Sequence, residues 1–274
     1  MYIDRRYRGR RRRPPWPYII LMIPILVVGI HLLATRTRFF ENPFDPLRPT
    51  PTPTRSAVSF LAEAEDYYST GEYRKAIEAY AHVAELEPEN SEALTAQAWI
   101  MILLGHPESA APVALHATQV EPTAHAYSVL AMAQDWSGDY DEAIKNALHA
   151  VDADPLSAEA HAVLAEVYAD KNNWSRALDE AETAVKLEPD NFMVQRNLGY
   201  VLENQGRYEE ALEAYQRAAE IAPTMGYIYV SAGNTYLAMA DYESALAQYE
   251  KAVEVSPDSP VGYDALGHAA ALSG

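Results

Sequence analysis

Six prolines punctuate this chain at nearly equal intervals: Pro88, Pro122, Pro155, Pro189, Pro223 and Pro257 stand 34, 33, 34, 34 and 34 residues apart. A fixed period of that length marks a repeat architecture, in which each copy is one supersecondary unit and neighbours stack. The rest of each copy keeps the same register. Twelve residues before each proline sits an alanine: Ala76, Ala110, Ala143, Ala177, Ala211 and Ala245. Twenty-four before it sits a small residue: Ala64, Ala98, Ala131, Ala165, Gly199 and Gly233. In five copies an aromatic opens the second half: Tyr73, Tyr140, Trp174, Tyr208 and Tyr242.

This pattern predicts a pair of helices per copy. The first ends near a glycine (Gly71, Gly105, Gly138 or Gly206), which supplies a left-handed C-terminal conformation. The second ends at the proline, which has no N–H with which to continue a helix. Small residues at fixed places let the two axes approach, and larger side chains fill the space between. One pair cannot bury its own apolar face, so the pairs must stack.

The Gly-x-Tyr-x-x-Ala of Gly71–Ala76, Gly138–Ala143 and Gly206–Ala211, with the prolines after them, resembles the tetratricopeptide repeat (TPR) family. The resemblance implies an all-α, right-handed TPR superhelical solenoid over residues 57–274. Its repeats are expected at 57–90, 91–123, 124–157, 158–191, 192–225 and 226–259, with one extra first helix in the partial copy 260–274. Arrays normally end in a polar capping helix. Asp264–Gly274, DALGHAAALSG, is not polar enough to be one. The sequence therefore predicts fraying from that end, self-association through it, or a chain that continues. Repeat two carries Pro112 inside its second helix, which predicts a late start or a kink.

Three segments precede the repeats. Residues 1–17 hold seven Arg and one Asp, a basic tail of net charge +6. Tyr18–Ala34, YIILMIPILVVGIHLLA, has no Asp, Glu, Lys or Arg. At 1.5 Å per residue it spans ~25 Å, close to a hydrocarbon core of ~30 Å. It is expected to be one transmembrane helix rather than a cleaved signal peptide, because no small-x-small site comes after it. The arginines before it outnumber Arg36 and Arg38 after it. That bias predicts a single-pass protein of the cell membrane, N-terminus cytoplasmic and repeats outside. Residues 35–56 contain a proline-rich linker, expected as an extended stalk.

Charge and composition exclude several functions. Residues 57–274 hold ten Lys plus Arg against 36 Asp plus Glu, a net −26. Such a surface repels nucleic acid. The chain has no cysteine. No nucleophile elbow, phosphate-binding glycine loop or paired zinc histidines occurs. His82, His116 and His149 share one register position, but successive second helices lie too far apart for the three to hold one metal. The expectation is no catalysis, no cofactor and no metal.

The TPR resemblance implies that one face of each first helix lines a concave groove for a protein or peptide. On this chain that face would carry Glu65 and Tyr68, then Trp99, Ile102, Leu103, Met132, Trp136, Glu166, Asp170, Arg196, Tyr200, Tyr227 and Asn234. Trp99, Ile102, Leu103, Met132 and Trp136 would form an apolar patch rimmed by Glu65, Asp135 and Glu166, with Met101 in the core behind it. Some members of the family hold a peptide's terminal carboxylate with Lys, Asn and Arg. Those positions here are Leu61, Glu65, Ala96, His125 and Val129, so that clamp is absent. The expected function is a membrane-anchored scaffold for protein–protein or peptide binding. The alternatives are the helical arm of a larger enzyme, or a self-associating assembly subunit.

Overall fold

The structure, a computed structural model, describes residues 28, 31 and 55–273. The expected basic tail, transmembrane helix and all but the last two residues of the linker fall outside the described residues, apart from Val28 and His31, which are helical. Among the described residues no helix is long and apolar enough to cross a membrane. The chain divides into two units after Thr54, and the second, Arg55–Gly274, holds all the repeats.

That unit is all helix. Thirteen helices run through its described residues: α1 Ala57–Ser69, α2 Tyr73–Leu86, α3 Ser91–Leu103, α4 Pro107–Val120, α5 Ala124–Trp136, α6 Tyr140–Ala153, α7 Ala158–Asp170, α8 Trp174–Leu187, α9 Phe192–Asn204, α10 Tyr208–Ile221, α11 Gly226–Ala238, α12 Tyr242–Val255 and α13 Pro260–Ser273. The odd-numbered helices form an inner layer from α3 to α13, each packed on the next odd one, and the even-numbered helices cover them outside. One continuous apolar core runs from Ala57 to Ile228.

Local chemistry sets the ends of the helices. Ser56, Asn90, Thr123, Ser157 and Asn191 cap the first helices of repeats one to five, each side chain accepting from a backbone N–H of the first turn. Within each pair, the turn returns an N–H to a carbonyl five residues back, as from Glu72 to Tyr67 at 2.8 Å and from Arg207 to Leu202 at 2.9 Å. Its left-handed residue is glycine in four repeats. Repeats four and six use Asn172 (φ 58°) and Ala240 (φ 59°) instead. Alanine has no side-chain bond to offset that conformation.

All six alanines twelve residues before the prolines are fully buried. The small residue of the partner helix faces them across the pair. In repeats five and six it is glycine, because a tyrosine lies over it. A Cβ on Gly199 would come within 2.7 Å of the Tyr215 ring, and one on Gly233 within 2.4 Å of Tyr249. In repeats two to four the tyrosine's place is held by Ala114, Ala147 and Ala181, and the glycine's by Ala98, Ala131 and Ala165. Repeat one alone combines the two, with Ala64 and Tyr80.

Pro112 does not delay its helix, as α4 begins at Pro107. Pro112 and Glu108 are both exposed, so the carbonyl that loses its N–H partner faces water.

The array curls far enough for its beginning to meet its end. The Tyr73 hydroxyl reaches Met225 Sδ at 3.3 Å and the Thr224 carbonyl at 3.4 Å. Ser259 Oγ donates to the Leu103 carbonyl at 3.0 Å. A Cβ on Gly71 would stand 3.0 Å from the Val255 carbonyl oxygen, and one on Gly105 3.2 Å from a Val261 methyl. Repeats one and two thus rest against repeat six and the start of α13. The terminal helix, expected to be bare, is in part covered by repeat two.

Ala240→Gly should raise stability by about 0.5–1 kcal/mol, seen as a higher urea midpoint at unchanged m-value. Gly199→Ala should cost about 1–3 kcal/mol by overpacking. Adding Tyr215→Ala should cost less in the Gly199→Ala background than in the wild type, a coupling that a double-mutant cycle measures.

Candidate functional site

The inner layer brings the predicted groove residues together, but mostly by burying them. Trp99, Ile102, Leu103, Met132 and Arg196 are buried; Trp136, Tyr200 and Tyr227 are half-buried; Asn234 is exposed. Closure of the array is the cause. Trp99 from α3 meets Tyr227 from α11 edge-on, ring centres 6.0 Å apart, and Trp136 from α5 meets the same tyrosine at 6.4 Å. Ile102 and Leu103 therefore belong to the core in this structure, while Met101, expected there, is half-buried. Asp135 and Glu166, expected as a solvated rim, are 2% and 3% exposed.

These two carboxylates sit in a polar network at the centre of the curl. Arg196 of α9 forms an ion pair with Glu166 of α7 and donates to Ser231 Oγ at 3.3 Å and Asn197 Oδ1 at 3.1 Å. Three aromatic rings surround its guanidinium: Tyr200 at 5.1 Å, Tyr227 at 5.5 Å and Trp136 at 5.7 Å from ring centre to carbon. Desolvated cation–π contacts of this kind contribute roughly 2 kcal/mol. Trp136 also donates its indole N–H to Glu166 at 3.2 Å. The Tyr200 hydroxyl donates to Asp170. Nothing in the sequence pattern marks Arg196 as a hub except its place on the inner face.

Asp135 has no hydrogen-bond donor for either oxygen among the described residues. Burial, then the nearby charges of Glu166 and Asp170, pushes its pKa up to about 10. Burial and these neighbouring charges favour its protonated form. Burial raises Asp170 as well. The cluster gathers one guanidinium and three acidic side chains from repeats three to five. It ties α5, α7 and α9 together.

A different part of the inner face stays open. A recess of about 260 Å³ lies among Tyr68 of α1, Tyr80 of α2, Ala96, Trp99 and Ile100 of α3, His125 of α5, Glu159 of α7, and Phe192 and Met193 of α9. The Trp99 indole N–H donates to the Tyr68 hydroxyl at 2.8 Å. At the edge, His125 Nδ1 pairs with Glu159 at 2.7 Å. Burial pushes the His125 pKa down, but bonding to Glu159 outweighs it and the pKa rises above the ordinary imidazole value. Of the predicted groove residues, Tyr68 and Trp99 line this recess. The sequence signal for the rest is weak: Ala96 and His125 stand out only as positions where a clamp is missing.

His82 and His149 pack on Phe60 and Tyr127 of their own repeats, at 4.8 and 5.3 Å between ring centres. Among the described residues no group of three or more potential metal-ligating side chains converges.

Comparison with known proteins agrees with this geometry. A sequence profile of the tetratricopeptide repeat matches residues 61–125, 128–182 and 164–225. A second one matches 203–268. Together they cover well over half of the chain, which therefore belongs to the tetratricopeptide repeat family. Among solved structures it is similar to the APC/C hetero-tetramer Cut9-Hcn1, with 17% identity, TM-score 0.54, and coverage of 78% of this chain and 42% of that one. It is similar also to TTC0263, a thermophilic TPR protein in Thermus thermophilus, with 22% identity, TM-score 0.56, and coverage of 66% and 99%. At these identities the likeness is one of fold. The chain spans less than half the length of the first. No curated protein matches its sequence.

The raised pKa of Asp135 has a consequence for stability. Between about pH 4 and pH 10 the folded chain binds a proton at this site that the unfolded chain does not. The site's contribution to stability is therefore full below pH 4 and falls as pH rises toward 10. Asp135→Asn should flatten that slope and add roughly 2 kcal/mol or more at pH 7. Urea titrations at several pH values between 5 and 9 measure both effects.

Proposed function

We propose that this chain is a membrane-anchored scaffold that holds a protein partner and performs no chemistry itself. Family membership supports the binding role, since repeats of this kind build extended surfaces rather than reaction centres. The observation that carries the reading is the recess on the inner face. Most of that face is packed shut by the chain's own side chains, and six helices leave an apolar hollow with charged groups at its edge. The anchor rests on the order of the N-terminal segments: an arginine block, an uncharged run over 18–34, then a proline-rich stretch. That order favours an N-terminus in the cytoplasm and repeats outside. Self-association through the C-terminal helix is a second reading, favoured by the half-exposed Tyr263 and Leu272 on α13; light scattering across a concentration range tests it.

Full-length chain expressed in cells should stay in carbonate-washed membranes, and protease added outside should digest the repeats. Cross-linking before extraction should join it to a protein partner in constant ratio. Recovery in the wash, or repeats protected until lysis, rules out the anchor as drawn. Absence of any cross-linked partner removes the scaffold.

A further inference from the structure

We propose that the recess among Tyr68, Trp99, Phe192 and Met193 receives one large apolar side chain carried on a basic, extended segment of a partner protein. This rests on the scaffold reading and specifies the partner's chemistry.

Size comes first. At about 260 Å³ the hollow is smaller than the ~300–1,000 Å³ of pockets for drug-sized ligands, so it suits a single side chain. The walls come second. Ala96, Ile100, Phe192 and Met193 offer only apolar side-chain surface. The polar tip of Trp99 is already committed to Tyr68. An aromatic or long aliphatic group entering here loses water against these apolar walls, beside Tyr80 and Asn191, which also line the recess.

The surroundings fix the rest of the partner. Glu159 lines the recess. Glu92 lies near enough to act electrostatically on both Tyr80 and His125, and Glu65 on Tyr80. An adjoining depression is lined by Glu87, Glu89, Glu92 and Glu121 together with Pro88, Asn90 and Ser91. Neither hollow has a lysine or arginine in its lining. An apolar cup beside a row of carboxylates selects an apolar residue with Lys or Arg on its flank and rejects acidic segments by like-charge repulsion. The charge is opposite to what a terminal carboxylate would require.

The tyrosine pattern shows why repeat one differs. In repeats five and six Tyr215 and Tyr249 are seated over glycines of their own pair. Repeat one has Ala64 at the corresponding place, and its tyrosine, Tyr80, lines the recess.

The test uses full-length chain in nanodiscs and three labelled ten-residue peptides: tryptophan flanked by arginines, alanine flanked by arginines, and tryptophan flanked by glutamates. Fluorescence anisotropy at low salt should show binding of the first, at least tenfold weaker binding of the second, and none of the third. Ala96→Phe, which fills the cup, should weaken the first peptide at least tenfold. Glu92→Lys, an exposed change that leaves the core alone, should weaken it at least threefold and reduce its salt dependence. Circular dichroism checks that both variants are folded. Equal binding of the first two peptides, or an unchanged affinity in either folded variant, overturns the proposal. A native partner cross-linked equally to wild type and to Ala96→Phe leaves the scaffold standing and removes only this site. Loss of every cross-linked partner while the peptide still binds does the reverse.

Discussion

The distance between paired helices governs everything else in this molecule. In repeats two to six it is set by alanine against alanine, or by glycine under tyrosine, at the same two places. Because those contacts recur in one register, each pair presents the same surface to the next, and a small rotation per repeat accumulates into a curl. Widening one contact by a methyl group would shift every later repeat relative to the earlier ones. Glycine at 199 and 233 lets the Tyr215 and Tyr249 rings lie where a Cβ would collide with them.

The curl decides which charges meet. Asp135, Glu166, Asp170 and Arg196 are spread over more than sixty residues, yet they share one dry interior. Removing one partner from such an ion pair strands the other, at a cost of about 3–5 kcal/mol. The aromatic cage keeps Arg196 in place between repeats. The same curvature leaves the recess near repeat one, where Tyr80 stands at the hollow's wall rather than over a glycine.

Much of this is legible in the sequence. Proline spacing, turn glycines and buried alanines are local features, and each maps onto a helix end or a close contact. Asn172 and Ala240 show the limit of the local code, since both adopt the glycine conformation without being glycine. The face of each helix can also be read, which is why Arg196, Tyr200 and Tyr227 are expected to point inward. What the face meets cannot. Ile102 is buried and Met101 half-buried, the reverse of the expectation, and Trp99 is met by Tyr227 from a repeat more than a hundred residues away. Asp135 reads as a solvated acid in any window of sequence. Its surroundings come from the next two repeats, which supply Glu166, Asp170 and Arg196. The segments that support a membrane anchor are legible only as composition.

The contact of Ser259 with Leu103 spans 156 residues, and that of Tyr73 with Met225 spans 152. Away from this seam, the interfaces join near neighbours along the chain. An ordinary array of repeats can nucleate anywhere and zip outward, because its contacts are local. Here the final seam must wait until every intervening repeat has its shape, since closing so long a loop is entropically favourable only once the chain between is rigid. The order of assembly is then pairs first, stacks next, seam last. Reversal begins at the seam, so the earliest opening of this molecule exposes Trp99 and Tyr227 together while the helices on either side remain intact.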